Sequence, residues 1–495
     1  MNNQAQKPND RLAPSKTRSG IRVISCFLLV GILASTVILV GCAVGPNYKR
    51  PTVNSPNNFR SATGPPTTNS FGDLPWWEIF QDDTLQNLIK IALTNNYDIR
   101  VAATRVEQAR AIYAENRAAF FPQLGYQVGA SRGKNALFTT PFFNNGRVTS
   151  DYIGAGNVSW EIDLWGRIRR LNEAAQAQYF ASQEARRNVM ITLIADLAQS
   201  YLQLLALDRE LEITRQNTAS FSDSLKIFNQ RLEQGVASKL ETSRAAAALA
   251  STAASIPDLE RQIVIQENQI SVLLGQNPGP VFRNKNLLQL TLPPDVPAGL
   301  PSSLLQRRPD IREADQLFRS ANAQIGVAVA DFLPVLDLTA LLGAVSPELS
   351  AITSGKSGLW SVAGSLTGPI FQGGRLVGQY HAAQAVREQA RLSYQQTALI
   401  AFQEVSNALI ARQKFQEIRV QQTLSVSAYE EAVRVSTQRY LVGQASYYEL
   451  LEAQQQLFPA QISLVQTQLN QFLAVVQLYR ALGGGWQPEV EAKKP

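Results

Sequence analysis

Side chains able to do nucleophilic or metal chemistry are scarce in this sequence. Its 495 residues include one histidine, His381, and two cysteines, Cys26 and Cys42. So few ligands assemble no His/Cys metal cluster and no Cys–His nucleophile. A serine triad would have to recruit His381, which sits in a polar, helix-like stretch without a partner motif. A carboxylate-pair hydrolase needs no histidine, but no carboxylate motif is clustered here, and repetitive helices seldom provide a cleft. No catalytic or metal-binding residue is therefore assigned. The cysteine with a chemical prospect is Cys42.

Lys7, Arg11, Lys16, Arg18 and Arg22 form a basic start, and Ile21 to Val40 follows as an apolar run. Leu39-Val40-Gly41-Cys42 closes it with a small residue just before a cysteine. That order reads as an export signal, residues 1–41, ending in a bacterial lipobox at which the signal is cut and Cys42 acylated. The covalent lipid is the one non-protein group expected. A retained anchor is the other reading, since about 20 apolar residues span a bilayer. Alanine rather than aspartate at position 43 favours passage to the outer membrane. The net charge of +7 falls to +3 once residues 1–41, with five basic residues and one acid, are set aside. No basic cluster is interleaved with aromatics, so nucleic acid is not an expected partner.

The elements that must position anything else come in two copies. Asp98-Ile99-Arg100 recurs 212 residues on as Asp310-Ile311-Arg312, and Phe120, Pro122 and Leu124 recur as Phe332, Pro334 and Leu336. Gln230-Arg231, Gly235, Ala237-Ser238 and Glu241 recur 208 on as Gln438-Arg439, Gly443, Ala445-Ser446 and Glu449. An extended N-terminal tether (42–75), a first repeat (76–277), a proline-rich linker (278–303), a second repeat (304–486) and a tail (487–495) follow.

Each repeat reads as helix, two strands, long helix, turn, returning helix. In the first, a helix runs from Asp82 to about Ala119. Leu124, Tyr126, Val128 and Ala130 alternate with polar or small residues, 133–150 reads as loop, and Asp151–Asp163 is a second strand. From Gly166 to about Glu233 there is no proline, and Met190, Leu197, Leu204, Leu211, Leu225 and Leu232 fall on a seven-residue period interrupted at Thr218. Such a helix is about 100 Å long. The returning helix ends near Leu274 and is expected to break at Pro257. In the second repeat, strands are expected near Val335–Val345 and Leu359–Phe371. There Trp360, Val362, Gly364 and Leu366 alternate with Ser361, Ala363, Ser365 and Thr367, giving one apolar and one polar face.

Four strands of about ten residues have membrane-crossing length but cannot close, and open edges are not tolerated in lipid. Two chains would make an eight-stranded barrel filled by its own side chains, whereas three give twelve strands and a lumen. The fold class is therefore mixed: a transmembrane β-barrel with four strands per chain and twelve in a trimer, plus a long α-helical barrel of coiled coils, internally duplicated. A structural coiled-coil envelope lipoprotein without transport would explain the helices and Cys42 but not the strands.

Several motifs together resemble the TolC-like outer-membrane factors of the NodT/OprM type. They are Gly41-Cys42-Ala43-Val44-Gly45-Pro46 with Tyr48-Lys49-Arg50-Pro51, Trp76-Trp77 with Phe80, Arg307-Arg308-Pro309-Asp310-Ile311, Phe371-Gln372-Gly373-Gly374-Arg375, and Ala481-Leu482-Gly483-Gly484-Gly485-Trp486. The resemblance implies a homotrimeric, non-enzymatic outer-membrane channel that takes substrates from an inner-membrane pump, of the RND type, through a periplasmic adaptor. It also implies a periplasmic gate at Tyr440, Tyr448, Glu449 and Glu452, with Glu241 as the first-repeat counterpart position and Ala445 where some members carry a gate arginine. Adaptor contacts would lie near the turns at Gly235 and Gly443. Taken alone, Glu449 and Glu452 are an i, i+3 pair of a solvated helix face, and the two glycines are helix-ending turn residues. The tryptophans and strand-end tyrosines fit an interfacial belt or packing within a trimer.

Overall fold

The computed structural model describes residues 43–62, 70–134, 148–293 and 299–484. The signal, Cys42, Gly485, Trp486 and the tail lie outside them, as do parts of the tether, the inter-strand loop and the linker. Two compact units form. Among the described residues, one holds 43–48, Ala114–Ala174 and Asn322–Ala385; the other holds Lys49–Tyr113, Ala175–Ala321 and 386–484.

The first unit carries one antiparallel sheet in the order β1-β2-β3-β4: β1 Gln123–Lys134, β2 Val148–Ile162, β3 Val335–Ser346 and β4 Gly358–Thr367. β1 and β4 are its edges. Directly paired residues share a face, and neighbours along a strand alternate. The register pairs Leu124 with Val158, Tyr126 with Gly156, Val158 with Ala340, Gly156 with Leu342, Ala340 with Val362 and Leu342 with Trp360. One face therefore collects Leu124, Tyr126, Val128, Val158, Trp160, Leu338, Leu342, Trp360, Val362 and Leu366. The other is mainly polar, with Gln123, Gln127, Asn157, Glu161, Asp337 and Ser361, interrupted by Ile153, Val335, Leu341, Val345 and Leu359. The apolar face is bare: Tyr126 is 86% exposed and Trp360 77%.

Seven helices of thirteen residues or more occur among the described residues: α1 Asp83–Asn95, α2 Tyr97–Ala118, α3 Arg167–Glu233, α4 Lys239–Leu273, α5 Pro309–Ala330, α6 Arg375–Leu441 and α7 Tyr447–Ala481. α3 and α6 each have 67 residues, α4 and α7 each 35. In the long helix pairs the duplication is thus kept to the residue, whereas β2 has 15 residues and β4 has 10.

Two expectations are corrected. The helix expected from Asp82 to Ala119 is broken at Asn96, whose ψ of 133° leaves the helical region. The Asn96 side chain accepts from the Asp98 amide at 2.8 Å and donates to the Leu273 carbonyl at 2.9 Å, so one residue caps α2 and pins the end of α4. Position 308, 212 residues on, repeats the device with a longer side chain. Arg308 donates to the Ala481 carbonyl at 2.9 Å, 208 residues beyond Leu273, and pairs with Asp310 and Glu404, both at 2.6 Å. Gly275 and Gly483 follow these pins with φ of +69° and +88°, and a Cβ on Gly275 would lie 2.6 Å from the Asn95 oxygen. The second correction is at Pro257, which lies inside a continuous α4. Its missing N–H removes one bond of the ladder, while buried Leu259 and Ile263 hold the following turns against the core.

The stretch expected as a tether is extended but packed where it is described. Phe59 is buried against Phe402 at 6.5 Å between rings, and Arg50 reaches Asp315 at 3.3 Å and the Leu305 carbonyl at 3.0 Å. The surrounding core joins Phe71, Phe80, Tyr201 and Tyr479 to the leucines of α3. Burial pushes the Tyr479 hydroxyl well above its ordinary titration range.

Burial likewise raises the Glu210 carboxyl above its ordinary 4.5, against a lowering hydrogen bond from Gln466. A carboxyl raised in the folded state favours folding below its unfolded value and loses that contribution as pH rises through the folded value. Glu210→Gln should therefore melt higher than the parent at pH 7.5. Thermal unfolding scans should show the gap closing as pH falls below about 4.5; a lower melting point at pH 7.5 would contradict the assignment.

Candidate functional site

The turns of the two long helix pairs lie in the second unit, and sequence places them at the same repeat position. α3 ends at Gly235 (φ +75°) and α6 at Gly443 (φ +78°). Only glycine takes this left-handed conformation freely. It lets Val236 N–H donate to the Arg231 carbonyl at 2.9 Å and Gln444 N–H to the Arg439 carbonyl at 2.8 Å, closing helix ends that would otherwise keep bare carbonyls. Nothing within 4 Å would obstruct a side chain at either glycine, so backbone conformation alone selects the residue.

Beyond the turns the two repeats diverge. Ser238 caps α4, and Glu241 completes a capping box: its amide donates to Ser238 Oγ at 3.3 Å and its carboxylate accepts from the Ser238 amide at 3.4 Å. Ser446 makes no such side-chain bond at the start of α7. Glu449, at the position matching Glu241, instead faces Arg439 at 3.6 Å. Both partners are about half exposed, so that pair contributes little to stability.

Tyr440 is buried. Its ring meets fully buried Phe228 edge-to-face at 5.4 Å, Tyr447 meets the same phenylalanine at 5.2 Å, and the Arg231 guanidinium lies 4.5 Å from the Tyr440 ring centre. Ala445 packs on this cluster. Tyr448 and Glu452 share a different setting. They line a groove of about 590 Å³ with Phe221, Arg244 and Phe458. Of the five residues expected at a gate, the structure brings Tyr448 and Glu452 together, sets Glu449 against Arg439, uses Glu241 as a cap and buries Tyr440. Sequence reading missed the Phe228–Tyr447–Arg231 cluster. Phe221 and Phe228 stand seven residues apart, and Arg231 one turn further on was a readable signal.

The seam between the long helices is tied by amides rather than by leucine alone. Gln454 donates to Ser224 Oγ at 3.1 Å, and Asn217 donates to Gln461 at 3.0 Å. Gln471 donates to Gln416 at 2.6 Å. These pairs set the register of α3 and α6 against α7.

A family model described as outer membrane efflux protein matches residues 88–276 and 300–484. The probable efflux pump outer membrane protein TtgC of Pseudomonas putida is 35% identical over 465 residues, covering 92% of this chain and 96% of that protein. The cation efflux system protein CusC of Escherichia coli is 31% identical over 458 residues, covering 91% and 97%. The solved structure of the outer-membrane channel OprN superposes with a TM-score of 0.84 at 31% identity, over 90% of this chain and all of that one. The chain belongs to the outer membrane efflux protein family. It is an outer-membrane channel component of an efflux system, and it works with other pump components.

Phe228→Ala should cost about 3–5 kcal/mol, the usual range for emptying a buried aromatic site. The loss should be local to the turns. Trypsin should cut the folded protein faster after Arg231 and Arg439, with Phe228→Leu intermediate; equal cutting rates in all three proteins would remove the cluster as the clamp of this end.

Proposed function

We propose that three copies of this chain close a twelve-stranded barrel in the outer membrane, that Cys42 carries a lipid, and that the chain has no catalysis of its own. The carrying observation is the sheet register. It gathers most of the large apolar side chains of the four strands, including Tyr126, Trp160, Leu342 and Trp360, on one face and most of the polar ones on the other, while β1 and β4 keep unpaired edges. A wall with lipid outside and water inside needs that division, and edges in lipid need partners. Pairing β4 of one copy with β1 of the next satisfies them without new elements.

The pump is of the RND type, reached through a periplasmic adaptor that contacts the turns at Gly235 and Gly443. Exposed Val236, Leu240, Leu441 and Val442 beside these glycines support this reading. The gate is carried by Tyr448, Glu449 and Glu452 on the exposed start of α7. Tyr440 and Glu241 act from behind, as a buried clamp and as a cap. A ring of carboxylates favours cations in a pore and disfavours anions. With Ala445 in place of an arginine, the nearby cation is Arg439, which holds Glu449. Relatives are named for toluene, antibiotic and cation efflux; the pump, rather than this duct, selects among such cargoes here.

Two measurements test this. Glu449→Ala combined with Glu452→Ala should raise single-channel conductance several-fold in planar bilayers and weaken cation preference, and unchanged conductance would remove both residues from the gate. Cys42→Ser should shift the protein out of the outer-membrane fraction while leaving some export; normal fractionation with no lipid mass on the parent protein would remove the anchor.

A further inference from the structure

The first residues after Cys42 are bound more specifically than a tether requires. Arg170 is 4% exposed and stands in the first turn of α3. Its Nε donates to the Val44 carbonyl at 3.1 Å, and its Nη2 donates to the Gly45 carbonyl at 3.3 Å and to Asn47 Oδ1 at 2.9 Å. Nη1 pairs with Glu173 at 2.9 Å. Asn322, on α5, donates to the Pro46 carbonyl at 2.8 Å. Val44 N–H donates to the Trp165 carbonyl at 2.9 Å, and the Trp165 indole donates to the Pro334 carbonyl at 2.8 Å, just ahead of β3. Every named partner lies in the first unit.

Three glycines make room for this contact. A Cβ on Gly45 (φ +88°) would lie 2.4 Å from Gly326 Cα, one on Gly166 (φ +81°) 2.6 Å from Ala43 Cα, and one on Gly326 2.7 Å from Arg170 Cγ and 2.8 Å from the Val44 oxygen. Main chain lies directly on main chain, at distances no side chain permits. A buried guanidinium needs its acceptors, so release of the segment would strand Arg170. A passive leash imposes none of these demands.

We propose that Gly166, Arg170, Asn322 and Gly326 form a seat for Ala43–Asn47, and that this seat fixes the lipid-bearing Cys42 at the roots of β2 and β3. The inference rests on the lipid-anchor reading for its purpose, and on the structure alone for the seat. Cys42 precedes Ala43 directly, so its Cα lies about 3.8 Å from that of a seated residue. Acyl chains and strands then approach the membrane as one body. Arg170 and Gly326 are positioning residues for the anchor.

The test uses the full mature protein from outer membranes with two readouts. Intact mass reads the lipid on Cys42, and hydrogen–deuterium exchange reads residues 44–49. Arg170→Ala and Gly326→Val should each raise exchange in 44–49 tenfold or more, with the Cys42 mass unchanged and exchange over 190–230 unchanged. Gly45→Ala alters only the segment, so it keeps the test decisive if a body variant unfolds, and it should show the same rise. Exchange as slow as the parent's in Gly45→Ala overturns the seat. A parent protein that carries no lipid yet protects 44–49 overturns the anchor and with it the purpose assigned to the seat. Inserting four Gly/Ser residues between Cys42 and Ala43 leaves the seat occupied but loosens the lipid, and should slow recovery of folded, outer-membrane-embedded protein several-fold. The same insertion between residues 64 and 65 should not; equal recovery of both insertion variants overturns the positioning role.

Discussion

A β-strand edge placed in hydrocarbon has no water to satisfy its amides and carbonyls. The structure follows from that constraint. Four strands drawn from distant parts of the chain pair β1-β2-β3-β4 and expose a predominantly apolar face suited to lipid. Yet the same sheet ends in two open edges. The edges therefore call for partner strands, which the proposed assembly of three copies supplies, and the rest of the chain must tolerate such repetition. Internal duplication is the economical route to this, since each half brings two strands and one pair of helices.

Duplication also shows where equivalence is kept and where it is released. The pins at Asn96 and Arg308 hold corresponding carbonyls, at Leu273 and Ala481, with different side chains. A short amide suffices in the first half. In the second, a buried arginine also draws in Asp310 and Glu404. At the opposite ends of these helices the equivalent acids diverge further. Glu241 is spent on capping its own helix, whereas Glu449 is left to solvent and Arg439. The half that keeps its cap has the plain structural role, and the half without it presents its carboxylates outward.

Much of this was legible in the residues. The alternation at Leu124–Ala130 and at Trp360–Leu366 located two strands, and the proline-free, heptad-bearing run from Gly166 to about Glu233 located α3 within a residue or two. Local chemistry writes such features directly: pleat and heptad are properties of neighbouring side chains. The break at Asn96 was invisible because asparagine mid-helix is tolerable alone. It becomes a boundary only when the Leu273 carbonyl, far along the chain, receives its amide. Pro257 misled in the opposite sense, since proline ends an isolated helix, but packing around Leu259 and Ile263 carries α4 through it. For the residues proposed as a gate, repeat position was readable and burial was not. Exposure separates Tyr448 from Tyr440, and exposure depends on Phe228, which no local pattern couples to either.

The matched lengths of the helices, 67 and 67, 35 and 35, have a consequence for how such a chain can change over generations. Phe228 of one hairpin is wedged between Tyr440 and Tyr447 of the other, so the two turns are held side by side. A deletion of two heptads in α3 alone would pull its turn about 20 Å short and strand those rings. The same deletion becomes tolerable only when α4, α6 and α7 shorten with it. Length in this lineage should therefore behave as a single inherited trait, altered in coordinated steps of four, much as the opposite walls of a shaft must be cut to the same depth.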